Sequence, residues 1–307
     1  MGMFLTVLEQ VVILILLVLL GVLLTKIKIL NDNVARGMTD LVLTFVTPSV
    51  IISSFIREYD KKTLNAILLS FLVAFCLHIG FIVVSRLLFG KTPDASKRVL
   101  RFGMIFSNCG FMSLPLQQAL LPENGVLYGA SYVAIFNLFV WSYGIITISG
   151  DKKYMSPKKL VLNPGIIALT IGVILFLTQI PVPTFAKSTL GHLSALNTPV
   201  PMIVIGYHLA NSDIIKGLRD VRCLLSVFIR LFVMPFAAVG IMYLCGVRGD
   251  LLVSMAISSS APIAAITTMF SAKFGKDTEL SVNMVSISTV LSLISMPLVV
   301  TIAQMIA

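Results

Sequence analysis

Ten long apolar stretches dominate the chain and limit its fold more than any other feature. Each is about as long as an α-helix that crosses a bilayer, roughly 20 residues. Short polar linkers separate them, and none is long enough for a soluble domain. We therefore predict an all-α polytopic membrane protein with ten transmembrane helices, called spans 1 to 10. The predicted spans are residues 4–25, 37–56, 63–89, 102–121, 128–149, 161–180, 189–211, 223–245, 251–271 and 280–305.

The composition agrees with a membrane protein and excludes several other classes. Hydrophobic residues make up 57% of the 307 residues and charged residues only 12%, whereas soluble domains carry about 25% charged residues. The net charge of +10 is spread over short clusters between apolar stretches, so it does not form a nucleic-acid-binding face. The four cysteines and three histidines show no metal-ligand spacing. We predict no cofactor, no metal site and no nucleic-acid partner.

Basic residues give the predicted spans a direction. Sixteen of the 23 Lys and Arg residues lie in the odd-numbered linkers, and five lie in the even-numbered linkers. Because cytoplasmic linkers are enriched in Lys and Arg, both termini are predicted on the extracytoplasmic side of the cell membrane. Arg86 and Arg230 fall inside spans 3 and 8, where we expect both to snorkel towards the cytoplasmic surface. Tyr128 and Tyr132 are expected to anchor one end of span 5 at an interface.

Short motifs recur at an offset of about half the chain length, which divides the chain into residues 1–150 and 151–307. Each half holds five predicted spans, and an odd number inverts the second half relative to the first. Inverted repeats are typical of secondary transporters, whose substrates bind near the bilayer midplane. The paired motifs are Gly21-Val22-Leu23-Leu24 with Gly172-Val173-Ile174-Leu175, Thr47-Pro48 with Thr198-Pro199, and Pro115 with Pro262.

Spans 4 and 9 each contain a proline beside small polar residues. In span 4, Ser107 to Ser113 precede Pro115, and in span 9, Ser258 to Ser260 precede Pro262. A proline in a helix interior costs about 3 kcal/mol, so we predict that both spans break just before their prolines. Half-helix amino ends at such breaks attract anions. No basic residue lies within either break, which favours an organic anion held by dipoles and hydrogen bonds.

The residues around these prolines resemble a known family. The stretch from Asn108 to Leu116 is similar to the fourth-helix motif of the auxin efflux carrier family, an Asn followed seven residues later by Pro-Leu. That family includes plant auxin exporters and many bacterial permeases. Leu162-Asn163-Pro164 resembles the start of its sixth helix, and Ala261-Pro262 with Phe270-Ser271-Ala272-Lys273 resembles its ninth helix. The resemblance covers all ten predicted spans.

The resemblance implies two inverted five-helix repeats, a fold shared with the bile acid sodium symporters, with helices 4 and 9 broken and crossing at Pro115 and Pro262. It implies elevator-type movement against a scaffold of spans 1, 2, 6 and 7. It also implies that Asn108 bonds a substrate carboxylate and favours efflux as the direction. The identity of the substrate does not carry over, although bacterial members are associated with small carboxylates such as malate and malonate. The chain lacks the long loop that the plant carriers have between helices 5 and 6.

The sequence thus predicts a transporter of a small organic anion rather than an enzyme. Sodium coupling is an alternative, with oxygen ligands from Ser107, Ser259, Ser260 and Thr267, and proton coupling through His78 is another. A non-transporting receptor or scaffold is the rival class. The expected partners are a carboxylate substrate and the lipid bilayer, with a homodimer as one candidate assembly. The predicted substrate-binding residues are Asn108, Cys109, Gly110, Pro115, Ser259, Ser260 and Pro262.

Overall fold

The computed structural model of the chain describes residues 2–90, 94–211 and 217–307, and its regular elements there are helices. They are α1 (Gly2–Lys26), α2 (Asp32–Leu41), α3 (Thr47–Phe55), α4 (Lys61–Leu88), α5 (Asp94–Ile105), α6 (Leu114–Leu120), α7 (Gly125–Phe139), α8 (Ile145–Ser149), α9 (Pro157–Val161), α10 (Pro164–Thr178), α11 (Thr184–Ala195), α12 (Pro199–Ala210), α13 (Val221–Phe228), α14 (Met234–Leu244), α15 (Gly249–Ser260), α16 (Ile266–Lys273) and α17 (Thr278–Ile306).

Several of these helices join into longer runs. π-Helical turns connect α2 to α3, α7 to α8, and α13 to α14, which gives the continuous runs Asp32–Phe55, Gly125–Ser149 and Val221–Leu244. With α4 and α17, they are the five helices in the described ranges that are long and apolar enough to cross a membrane. Each predicted span falls largely on helical residues, but interruptions divide some of them. The count of ten crossings therefore stays a prediction.

The π-helical turns Val42–Val46, Cys109–Ser113 and Ile229–Val233 explain how prolines fit into helical runs. Pro48, Pro115 and Pro235 each lie two residues after the end of such a turn. A proline ring clashes with the carbonyl four residues earlier in a regular α-helix. The wider π-turn, closed by bonds between residues five apart, relieves that clash. A proline in this sequence therefore does not by itself mark the end of a helix.

The described helices pack as two groups. In one group, α1 packs mainly against α12, and α10 packs mainly against α3. Glycines allow the first approach, since a Cβ on Gly21 would lie 2.2 Å from the carbonyl oxygen of Ile203, and one on Gly206 would lie 2.2 Å from that of Val18. Small residues let membrane helices pack this closely. We call α1–α3 with α10–α12 the scaffold group, and α4–α8 with α13–α17 the crossover group.

Two predicted boundaries differ from the structure. The helix of span 4 begins at Asp94, eight residues before the predicted start, because the polar residues after it still form a helical turn. Span 7 is not one helix, since α11 ends at Ala195 and α12 begins at Pro199. Proline favours the first turn of a helix, where its missing N–H is not needed.

Candidate functional site

Two helical runs of the crossover group are interrupted where they meet. One interruption lies between α5 and the π-helical turn Cys109–Ser113, and the other lies between α15 and α16. Ser107 and Ile263, one from each interruption, form an antiparallel bridge. We call residues 106–108 the first break and residues 261–265 the second break.

Backbone hydrogen bonds hold the two breaks together. The amide of Asn108 donates to the carbonyl oxygen of Pro262 at 2.7 Å, and the amide of Ala264 donates to the carbonyl oxygen of Phe106 at 3.0 Å. A membrane interior offers no water to hydrate such groups, so interrupted backbone persists there only when protein or a cavity satisfies it. Here each break satisfies part of the other.

The two prolines lie at different distances from the breaks. Pro262 is inside the second break, whereas Pro115 lies in the first turn of α6, after the π-helical turn Cys109–Ser113. The prediction that span 4 breaks just before Pro115 is therefore wrong about the place. The break comes at Ser107, because the π-turn accommodates Pro115 without ending the helix.

The first break presents an uncommitted amide. The side chain of Asn108 forms no capping bond with the helical turn that follows it. Asn108 and Gly110 are partly exposed, although Cys109 between them is buried. A Cβ built on Gly110 would meet no atom of the described residues within 4 Å, so open space adjoins the backbone two residues after Asn108.

The second break is closed. Ser259 and Ser260 are fully buried, and their hydroxyls donate to the carbonyl oxygens of Ala256 at 3.1 Å and Ile257 at 3.2 Å in their own helix. Pro262 is buried as well. These predicted site residues therefore lie beside the crossing but do not face the open space at the first break.

A buried polar network that we did not predict connects the helices next to the breaks. Nε2 of Gln117 lies 2.9 Å from Oγ of Ser113, 2.7 Å from Oγ of Ser258 and 3.0 Å from the carbonyl oxygen of Ser254. Ser113 and Ser258 hydroxyls are 3.0 Å apart. The network fixes α6 against α15. Its sequence signal is the four-residue spacing of Ser113 and Gln117, which places both on one helix face.

Arg230 contradicts the expectation that it snorkels to a surface. It lies near the middle of the run Val221–Leu244 and is fully buried. Its Nη1 donates to the carbonyl oxygen of Ser259 at 2.7 Å, and its guanidinium carbon lies 5.4 Å from the centre of the Phe81 ring. A long side chain can snorkel only when a polar boundary is within reach. The polar partner of Arg230 is instead the last turn of α15, next to the second break.

His78 and Tyr132 lie in the same buried region. Nδ1 of His78 lies 2.8 Å from the carbonyl oxygen of Ala74, which requires a proton on that nitrogen. The two rings are 4.8 Å apart. Nε2 of His78, the Tyr132 hydroxyl and the Ser107 hydroxyl have no hydrogen-bond partner in the described part of the chain. Because Tyr132 is fully buried, its expected role as an interfacial anchor is wrong.

A crevice separates the two groups of helices near α6. Its volume is about 190 Å³, and polar groups from both sides face it. The side-chain oxygen of Gln118 there is buried without a partner within the described ranges. Space of this size suits a small solute or a few waters. The lining residues are Gln10, Leu14, Pro115, Leu116, Gln118, Ala119 and Thr198.

At one end of the interface, an arginine links the two groups. Arg57, which follows α3, donates from Nη1 to Oδ1 of Asn124 at 2.9 Å and from Nη2 to the carbonyl oxygen of Glu123. Nδ2 of Asn124 in turn donates to Oδ2 of Asp250 at 2.9 Å. Partial burial of the guanidinium lowers the pKa of Arg57. Any sliding of one group along the other would have to break these bonds.

Apolar helices with two interrupted runs that meet in the interior are the architecture of a membrane transporter. A family model described as "Membrane transport protein" matches residues 6–158 and 152–300. The chain belongs to this family, which confirms the resemblance to the auxin efflux carriers.

Two relatives span nearly the same length. An uncharacterized transporter of Methanothermobacter thermautotrophicus is 25% identical over 293 residues, which cover 94% of this chain and 96% of the relative. An uncharacterized transporter of Methanocaldococcus jannaschii is 23% identical over 297 residues, which cover 93% of this chain and 95% of the relative. The chain is similar to transporters along almost its whole length.

Proposed function

We propose that the chain transports a small organic anion that carries a carboxylate, and that Asn108 binds this carboxylate directly. The observation that carries the proposal is the uncommitted side-chain amide of Asn108, partly exposed at the crossing of two interrupted helices. In this proposal, a solute reaches that amide through the open space that adjoins the backbone of Gly110.

The chemistry of the first break suits an anion that must bind and leave. The helical turn after Asn108 starts at Cys109, and amide groups at a helix start carry partial positive charge. A neutral amide adds a hydrogen-bond donor without the desolvation penalty of a buried cation. Binding of this kind is weak enough for release. Cys109, Gly110 and Pro115 contribute to the site through their backbone and shape in this proposal.

For the architecture, we propose ten crossings in two inverted halves, residues 1–150 and 151–307. In an elevator-type cycle, the crossover group carries the substrate past the scaffold group. The closer packing within the scaffold group than between the two groups, and the crevice between them, support this movement. In this proposal, Ser259, Ser260 and Pro262 support the moving site from its buried side.

For the orientation, we propose a multi-pass protein of the cell membrane with both termini on the extracytoplasmic side, working in efflux. The bias of basic residues towards the odd-numbered linkers supports this orientation. A cysteine placed in the linker 150–160 should react with an impermeant maleimide only after cells are opened. Labelling of intact cells would contradict the orientation and the inverted-repeat architecture with it.

The experiment on function combines ligand screening with one substitution. Malonate, malate and indole-3-acetate are tested for a rise in the melting temperature of the purified protein and for counterflow in proteoliposomes. We expect at least one to bind and exchange, since a ligand stabilises the state to which it binds. Asn108→Ala should bind that acid about 5- to 150-fold more weakly, which corresponds to about 1–3 kcal/mol for an unpaired acceptor.

Asn65→Ala is the matched control, because Asn65 lies exposed on α4, away from the breaks. It should leave binding unchanged. Without ligand, Asn108→Ala should melt at the wild-type temperature. If Asn108→Ala binds the acid with wild-type affinity, Asn108 does not contact the substrate, and if none of the three acids binds, the proposed substrate class is wrong.

A further inference from the structure

The crossing brings together two helix ends of the same polarity. α5 ends at Ile105 and α15 ends at Ser260, each at one of the breaks. A helix carboxyl end exposes unsatisfied carbonyl groups and carries about half a negative charge. Two such ends amount to roughly one elementary negative charge in the interior of the protein.

In transporters with broken helices, this combination of helix carboxyl ends and unwound carbonyls is where a coupling cation binds. In this chain a side chain already supplies the cation. The guanidinium of Arg230 donates to the carbonyl oxygen of Ser259, the second-last residue of α15, at 2.7 Å.

Within ranges 2–90, 94–211 and 217–307, no ion pair or hydrogen bond joins Arg230 to a carboxylate, and its Nε and Nη2 have no hydrogen-bond partner. An isolated buried charge is strongly disfavoured unless something compensates it. The carboxyl end of α15 provides compensation through the bond to Ser259, and the carboxyl end of α5 lies across the same crossing.

We propose that Arg230 is a built-in cation that occupies the place of a coupling cation at the crossing, so that this chain transports without sodium. A sodium ion held by Ser259 would lie beside the guanidinium, which bonds the carbonyl oxygen of that residue at 2.7 Å, and would be repelled. The inference rests on the proposed function, because sodium coupling has a meaning only in a transporter. The experiment measures how the melting temperature depends on the cation. The inference can therefore fail while carboxylate binding holds, and carboxylate binding can fail while the inference holds.

The first measurement uses the wild-type protein. The purified full-length chain is melted in sodium, lithium, potassium and choline chloride at matched concentration, which keeps the anion constant. We expect the same melting temperature in all four salts. A rise specific to sodium would mean that a sodium site exists, and would overturn the proposal.

The second measurement uses three variants. Arg230→Gln should lower the melting temperature in choline chloride by about 10 °C, because it leaves the helix ends uncompensated. Sodium or lithium should restore part of that loss by entering the vacated place. Arg230→Lys keeps the charge, so it should lose less and should stay insensitive to the cation.

Arg86→Gln is the control, since Arg86 is an exposed arginine bonded to the Tyr143 hydroxyl. It should change neither the melting temperature nor its cation dependence. If Arg230→Gln loses equal stability in all four salts, Arg230 only caps α15, and the proposal fails. If Arg230→Gln does not fold, a sodium-specific rise in the wild type or in Arg230→Lys still overturns it, and its absence from both upholds it.

Discussion

The two breaks meet through the same backbone pairing, yet they differ in almost every other respect. The first leaves the Asn108 side chain without a capping bond and adjoins open space at Gly110. The second buries Ser259 and Ser260 completely and binds their hydroxyls to their own helix. Equivalent positions in the two proposed halves have therefore become an open side and a closed side of one crossing.

The contacts that support the second break are also more extensive than those at the first. Around the second break, Ser288 Oγ accepts a hydrogen bond from the amide of Ile263 at 3.1 Å, and Arg230 bonds the carbonyl of Ser259. At the first break, the side-chain amide of Asn108 forms no capping bond, so it has no comparable support. In the proposed mechanism, the first break is therefore the one that binds ligand, whereas fixed side chains hold the second.

The largest expected effect comes from disturbing the network that joins α6 to α15. A Cβ on Gly129 would lie 1.7 Å from Oε1 of Gln117, so Gly129→Ala must displace the whole amide group. The displaced Gln117 loses its bonds to Ser254 and Ser258. We expect a loss of about 2–3 kcal/mol, seen as a fall in melting temperature of roughly 5 to 10 °C.

Gly80→Ala is the control for that substitution. Gly80 lies in α4, and a Cβ there would meet nothing within 4 Å. Because alanine is a better helix former than glycine, the melting temperature of Gly80→Ala should equal that of the wild type or be slightly higher. Equal melting temperatures for Gly129→Ala and wild type would show that the network does not hold the closed side.

A smaller effect, but a more direct one, is the difference in chemical access to the two breaks. In a variant without the four native cysteines, Gly110→Cys and Ser260→Cys place one thiol at each side of the crossing. We expect maleimide to modify position 110 roughly tenfold faster, since reaction requires an accessible thiolate. Equal rates at both positions would remove the distinction between an open and a closed side.

Much of the architecture could be predicted from the chain alone, because a bilayer imposes strict rules. Helix-length apolar stretches and short linkers indicated an all-helical membrane protein, and the family match confirmed the relationship that the Asn108 to Leu116 motif indicated. An interruption of each of these two runs was also predicted, at Pro262 in span 9 and at Pro115, instead of Ser107, in span 4. These features are local, so they can be read without knowing the fold.

The environment of each site residue was decided only by tertiary packing. Arg230 and Tyr132 look like surface anchors in their own helices, but neighbouring helices bury both. Pro115 looks like a helix break, but a π-helical turn accommodates it, and the break comes at Ser107 instead. Burial and pairing depend on which helices lie beside one another. Sequence patterns within one helix carry no information about that, so the open and closed sides of the crossing emerge only from the packed structure.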